Sequence, residues 1–487
     1  MNKILHKLIR TVLVCTLLII SSCKSFLDIE PVGSLTGDKL FTNVEGYTSA
    51  MVGSYSLFTK YHLSQYGLYG ELRGDNVLLN QTLGGGVLAE YNYQSDPTLD
   101  LSMVRRIWQD IYETLNNVNN VIEARQSLLE SFPGSKANIE RIYGEALVLR
   151  AMCFFDLANV YSQTYAYTPD ASHFGVPIFT KTPLPGVTTA RSTLKETYER
   201  IIADLKEAQV VLSANSVSRS KIYASADAAT ALLSRVYLYM QDWDAVIGLL
   251  ENQRLKNKYP LASASNYMNM FIGEEQRANP ELISSEVIWQ LNLNLNSTST
   301  SYLSGIFSNP ESFYVYPHAN YRALFETTDI RSQQFKVNPL NASVFYSLKY
   351  AKSDNTLPAN WPVNFKMFRS AEIYLNLAEA YYHKQQFEAA ATNIKTVRAR
   401  AYNVEASTIN LPFNDPAALL QQIKLERRKE LGFENQRIFD IMRYKDNLTR
   451  TECNSTTCTL TYPNNKFVLP IPEMEILANP LIKQNPQ

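Results

Sequence analysis

Apolar side chains return at helical intervals along most of this chain. Trp108, Ile111, Tyr112, Leu115, Val118 and Ile122 fall at i, i+3, i+4, i+7, i+10 and i+14, the spacing of one face of a long helix. Leu147, Ala151, Phe154, Phe155, Ala158 and Tyr161 mark a second such face, and Ile201, Leu205, Ala208 and Leu212 a third. Thr42-Asn43-Val44-Glu45 reads as a capping box opening a helix that runs to about His62. Val287 to Leu293 instead alternates with the period of a strand, which places Trp289 beside the core. Long polar or Gly/Pro-punctuated stretches at 77–103, 162–192, 255–285 and 294–364 separate these segments. Loops of that length tend to carry function. The pattern predicts a mainly α protein with a loop-rich side and few short strands.

Two segments share a finer pattern. Tyr374, Leu377, Ala378 and Tyr381, followed by Phe387, Ala390 and Ile394, match the tetratricopeptide arrangement of two antiparallel helices. Leu233, Ser234 and Tyr237, followed by Trp243 and Val246, repeat it with the same interval from tyrosine to the next aromatic. Ser234 and Ala378 are small enough for paired helices to approach closely, while Trp108 and Trp243 fit core-facing positions. The copies are not in tandem, so helix pairs embedded in a larger fold are expected rather than an open solenoid.

The first 22 residues are of another kind. Lys3, Lys7 and Arg10 precede an apolar run from Thr11 to Ile20, short for a membrane span and suited to a secretory signal. The run ends in Ile20-Ser21-Ser22-Cys23, a lipobox pattern. Small residues there leave the scissile bond accessible, and the Cys23 thiol would carry the lipid. Several acyl chains at Cys23 would anchor the protein firmly to a membrane.

The chain has 487 residues with 46 Lys+Arg and 46 Asp+Glu, and loss of residues 1–22 leaves 43 basic against 46 acidic side chains, a net charge of −3. That balance argues against the basic field on which nucleic-acid binding depends. The 30 Tyr and 21 Phe stand against only 18 Gly and 4 Trp. Tyrosine can fill a core or offer a surface with an apolar face and a polar tip. Cys153 lies in an apolar helical stretch and reads as a buried small hydrophobe. Cys453 and Cys458 bracket a polar loop and are candidates for a short-loop disulfide in an exported protein. His62, His173, His318 and His383 are scattered, without the pairing a metal site needs. Gly84-Gly85-Gly86 lacks the following Lys-Ser/Thr of a phosphate loop, and no nucleophile elbow is present. Neither a metal, a cofactor nor a catalytic residue is expected.

Several motifs then occur in a telling order. Cys23-Lys24-Ser25-Phe26-Leu27-Asp28 leads to Gly74-Asp75-Asn76, Trp108-x3-Tyr112, Leu149-Arg150-Ala151 and Gly175-Val176-Pro177. Arg369 to Leu375 follows, then Glu426-Arg427-Arg428-Lys429-Glu430-Leu431 continuing through Phe433-Glu434 to Arg437, Asp440 and Arg443. Leu469-Pro470-Ile471-Pro472, Asn479-Pro480 and Asn485-Pro486 close the chain. Across essentially the whole mature chain the sequence resembles the SusD/RagB family. These are surface lipoproteins that deliver nutrients to TonB-dependent outer-membrane transporters. One departure is Lys24-Ser25, where the family has an acidic residue directly after the lipidated cysteine. The resemblance implies a signal peptide over 1–22, an N-terminal region over 23–225 and a C-terminal region over 226–487, forming one unit. It further implies a non-enzymatic binder of an oligosaccharide, or of a peptide, lipid-anchored at Cys23 on the outer-membrane surface beside a SusC-like transporter. A structural tetratricopeptide adaptor is the alternative from another class.

The candidate ligand residues follow from chemistry that suits a sugar. Arg73, Asp75 and Asn76 offer planar polar groups at the entrance to the first long loop, although Gly74-Asp75-Asn76 is equally turn chemistry. Tyr91 and Tyr93 in that loop, and Tyr302, Phe313, Tyr314, Tyr316 and Trp361 in the last, could cover the apolar face of a sugar ring. Arg437, Asp440 and Arg443, at steps of three, are suited to ion pairing with one another along one helix.

Overall fold

The computed structural model describes residues 40–80, 86–184, 186–216, 219–271, 284–292, 302–307, 314–350 and 364–486. Its longer helices are α1 (Val44–His62), α2 (Gln65–Leu72), α3 (Met103–Ser131), α4 (Lys136–Tyr161), α5 (Leu194–Ala214), α6 (Ala226–Met240), α7 (Trp243–Gln253), α8 (Ser370–His383), α9 (Phe387–Tyr402), α10 (Pro416–Leu431) and α11 (Arg437–Arg443). Polar caps set where they begin. Asn43 accepts from the Gly46 N–H at 2.7 Å, so the cap of α1 falls one residue after the Thr42 that the sequence pattern suggested. Thr193 and Glu196 satisfy each other's backbone N–H at the start of α5, a reciprocal capping box. Ser102, Ser225, Asp242 and Asp415 cap α3, α6, α7 and α10, the last with Pro416 in its first turn.

The helices pack in succession. α3 lies on α1 and α4, α4 on α5, α5 on α6, α6 on α7, α7 on α8, and α8 on α9 and α10. The two tetratricopeptide-like segments become the hairpins α6–α7 and α8–α9, turned by left-handed residues at Gln241 (φ 62°) and Gln385 (φ 59°). In both, the matched aromatic is the first residue of the second helix, Trp243 in α7 and Phe387 in α9. Although far apart in sequence, the hairpins are neighbours. The Trp243 ring stacks on His383 with centroids 4.1 Å apart, which makes Trp243 a half-buried seam residue between repeats rather than a core one. Below it the small Ser234 allows close approach and accepts from Asn376 at 3.3 Å. Trp108, by contrast, is buried as its spacing predicted.

Strands are short: β1 (Val77–Leu79), β2 (Val287–Gln290), β3 (Val315–Pro317), β4 (Phe335–Asn338), β5 (Asn341–Ser347), β6 (Lys366–Arg369), β7 (Leu448–Thr449) and β8 (Thr459–Leu460). Among the described residues they form four antiparallel two-stranded ribbons, β1–β3, β2–β6, β4–β5 and β7–β8. Trp289 on β2 is fully buried and stacks against Phe58 and Phe368. The stretches read from sequence as loops therefore hold β1 and β3 to β5.

One large apolar cluster draws on residues from Tyr47 to Ile482. Beside it lies a network of buried charges centred on α10 and α11. Glu430 accepts from Arg331 at 2.9 Å, Arg369 at 2.5 Å and Arg400. Glu434 accepts from Arg369 and from Lys349, both at 2.8 Å. Ion pairing within α11 is only part of what its sequence suggested. Arg443 bonds Asp440 at 2.8 Å, but Arg437 reaches across to Asp75 at 2.6 Å instead. Asp440 already accepts from Arg427 at 2.8 Å, so a third guanidinium is not needed there. Cys153 is buried in α4, and no helix among the described residues is long and apolar enough to cross a membrane.

Candidate functional site

The first group of candidate ligand residues is consumed by the fold. The Arg73 guanidinium is buried, pairs with Glu90 at 2.5 Å and stacks over the Tyr93 ring at 4.1 Å. Asn76 donates to Glu71 at 3.0 Å and accepts from Arg428 at 2.8 Å. Asp75 takes the Arg437 fork. Burial alone would raise its pKa, but Arg437 and Arg428 outweigh it and hold the carboxyl at about 2. Tyr93 is buried with its hydroxyl on the Arg73 carbonyl, and Tyr91, also buried, donates to Asn454 at 2.6 Å. All five side chains bond within the fold, and the Arg73 Nε, which has no hydrogen-bond partner among the described residues, is buried. Tyr302 begins the short helix Tyr302–Phe307, while Phe313, Trp361 and Cys23 lie outside the described residues.

The second group fares differently, because an antiparallel ribbon turns alternate side chains outward. Leu78 and Tyr316 oppose each other across β1–β3 and are both half-buried, between inward-facing Val77, Leu79, Val315 and Pro317. The Asn80 N–H donates to the Tyr314 carbonyl at 2.7 Å, extending the ribbon and holding half-buried Tyr314 at its end. At the other end His318 caps the turn Ala319–Arg322, its Nδ1 accepting from the Asn320 N–H at 3.0 Å. The His318 Nε2 lies against the Glu452 backbone, 3.0 Å from its N–H nitrogen and 3.1 Å from its carbonyl oxygen.

Arg322 leaves this turn and lies flat over the Phe345 ring, 3.6 Å from its centroid. Its guanidinium has no hydrogen-bond or carboxylate partner among the described residues, and its Nε is buried. Burial lowers its pKa, opposed in part by Glu452, which also raises the phenol of Tyr316 after burial has done so. Glu452 thus stands near both, with its side chain 51% exposed. It is carried by the loop closed by a disulfide between Cys453 and Cys458, whose Cα atoms are 5.6 Å apart. Asn454 ties that loop to β1 through the Leu79 carbonyl at 2.7 Å, and Ser455 ties it to Asn92 at 2.9 Å. The result is a face with a half-exposed aromatic ring, a preoriented planar donor and an exposed carboxylate. Such groups can cover an apolar ring face and bond hydroxyls at its edge. Sequence reasoning missed Arg322 and Glu452, since a free arginine is indistinguishable in sequence from the many paired ones. No cluster of metal-ligating side chains occurs among the described residues.

Residues 39–238 match the sequence profile of a family described as "Starch-binding associating with outer membrane", and residues 252–487 match that of the SusD family. The chain belongs to the SusD/RagB family. SusD-like protein P38 of Formosa agariphila is 23% identical over all of this chain and 99% of its own length. Among solved structures, a SusD superfamily protein of Bacteroides thetaiotaomicron superposes with a TM-score of 0.78 at 25% identity, covering 92% of this chain and all of its own. The surface glycan-binding protein A of Bacteroides uniformis gives 0.70 at 18% identity over 91% and 99% of the two chains, a likeness of fold. The mainly α SusD-like architecture, with its helix pairs and short ribbons, is shared.

Proposed function

We propose that this SusD-family protein is a non-catalytic carbohydrate binder of the outer membrane, and that the face around β3 holds its ligand. The observation that carries the reading is Arg322, a guanidinium without a bonding partner among the described residues, stacked on Phe345 beside half-exposed Tyr316. An unpaired, oriented, partly buried donor is costly to the fold and gains its bonds when a hydroxyl-rich ligand arrives. The family's description as starch-binding and associating with the outer membrane, and the glycan-binding relative of the same fold, support that ligand class. Tyr316 and Tyr314 would cover sugar ring faces, and Glu452 would accept from a hydroxyl. Cys23 would anchor the mature chain, which would pass its ligand to a TonB-dependent transporter alongside.

Calorimetric titration of the full mature chain against a panel of neutral and acidic oligosaccharides tests this. Arg322→Ala should weaken the best ligand by about tenfold or more, the worth of a charge-assisted bond. Tyr316→Ala should also lower affinity, with the melting temperature of both variants nearly unchanged. Unaltered affinity in both would overturn the assignment of the face. Labelled palmitate entering the wild type but not Cys23→Ala would test the anchor.

A further inference from the structure

A second cleft opens between the start of α4, the end of α5 and the start of α6, with a volume of about 370 Å³. That is within the range of pockets that take small molecules. Four cations line it, Arg141, Arg219, Lys221 and Lys258, against two carboxylates, Glu145 and Asp227. Both carboxylates are already engaged. Glu145 accepts from Arg141, Arg219 and the Tyr55 hydroxyl, and Asp227 accepts from Lys258 at 2.8 Å and the Tyr259 hydroxyl at 3.0 Å. Lys221 has no carboxylate within 4.0 Å among the described residues. Its ammonium donates to the Ser284 carbonyl at 3.0 Å and to the Ser285 carbonyl at 3.4 Å, and sits 5.2 Å from the centre of the Tyr259 ring. Partial burial lowers its pKa, so the charge is held at a cost that an anion would offset.

Among the described lining residues two positive charges are in surplus, which is unexpected in a mature chain that is net acidic. The walls also carry more than charge. Tyr223 and Tyr259 are half-buried with Arg219 stacked on Tyr223 at 3.5 Å, and the rim offers the hydroxyls of Ser216 and Ser220 and the amide of Gln253. Rings, hydroxyl-bonding groups and an uncompensated cation together recognise a sugar that bears a carboxylate. We propose that this cleft is a binding site for a uronate residue, its carboxylate at Lys221 and its ring against Tyr259 and Tyr223.

The site is independent of the face around Arg322, and the experiment keeps the two apart. The full mature chain and its Arg322→Ala variant would be titrated calorimetrically with digalacturonate, maltose and inorganic phosphate. Digalacturonate should bind the Arg322→Ala protein, with affinity falling at least tenfold in Lys221→Gln, retained in Lys221→Arg, and falling as salt is raised. Circular dichroism and melting of Lys221→Gln should match the parent. Equal affinity for maltose, competition by phosphate at equal concentration, or an unchanged affinity in Lys221→Gln would each overturn the proposal.

Discussion

At the scale of single residues, two buried groups titrate near neutrality with opposite consequences. Lys366 on β6 is buried, and among the described residues its ammonium bonds only the Asn364 carbonyl, at 2.9 Å. Burial lowers its pKa to about 7, with partial opposition from Glu434. The folded pKa lies below the unfolded 10.5, so the unfolded chain holds the proton more tightly. The group therefore costs most below pH 7, and that cost fades as the pH rises towards 10.5. Lys366→Met should stabilise the protein at pH 6 by about 2–3 kcal/mol more than at pH 9. Urea denaturation at the two values measures the difference, and an equal effect at both would contradict a charged buried lysine. Glu71 has the reverse sign. Burial raises its pKa to about 7, against the lowering effect of bonds from Asn76 and the Phe433 N–H. Its contribution is greatest below about 4.5 and is lost as the pH rises through 7. In Glu71→Gln the decline of stability between pH 4.5 and 7.5 should be shallower than in the wild type, by about 3 kcal/mol across the window.

At the scale of elements, the helices were legible because their pattern is local, and the proposed site was legible only in Tyr314 and Tyr316, because it is built from distant ribbons. Trp108 to Ile122 carries a helical period, and Thr193 and Glu196 supply a cap within four residues. β1 and β3 are three residues each and find each other across more than 200 positions, from Val77 to Pro317. Nothing near Arg322 in sequence says that Phe345 will lie beneath it, or that Arg73 will be spent on Glu90. The same non-local logic makes the 453–458 loop informative. Its disulfide holds Glu452 towards Tyr316 and Arg322 while Asn454 and Ser455 pin it to β1 and Asn92. For so short a closed loop the cross-link contributes about 2 kcal/mol. Cys453→Ser with Cys458→Ser should cost about that in equilibrium denaturation and weaken ligand through a faster off-rate. Loss of stability with no change in binding kinetics would remove the loop from the site.

At the scale of the whole molecule, the charge network joins the part of the chain before residue 238 to the part after 252. Arg437 and Arg428 meet Asp75, and Arg450 reaches back to the carbonyls of Leu72, Gly74 and Tyr91 at 3.0, 2.9 and 2.7 Å. The shared apolar cluster crosses the same boundary. Neither part can therefore lose its structure without stranding charges of the other, which makes one cooperative transition the expected mode of unfolding. Glu434→Ala probes this network directly, since it removes a carboxylate that buried Arg369 and Lys349 share, while Glu286 and Glu430 still hold Arg369. Breaking a buried pair on one side costs about 3–5 kcal/mol. Calorimetry should show a lower melting temperature with a single peak, and the folded fraction should bind oligosaccharide as the wild type does. Asp75→Asn should act in the same direction through Arg437. Its effect should shrink in acid, because the wild-type carboxyl gives stability above about 3.8 and loses it as the pH falls through 2. Two separate melting peaks would show that the halves are independent. A selective loss of affinity at full stability would move this network from scaffold to binding site.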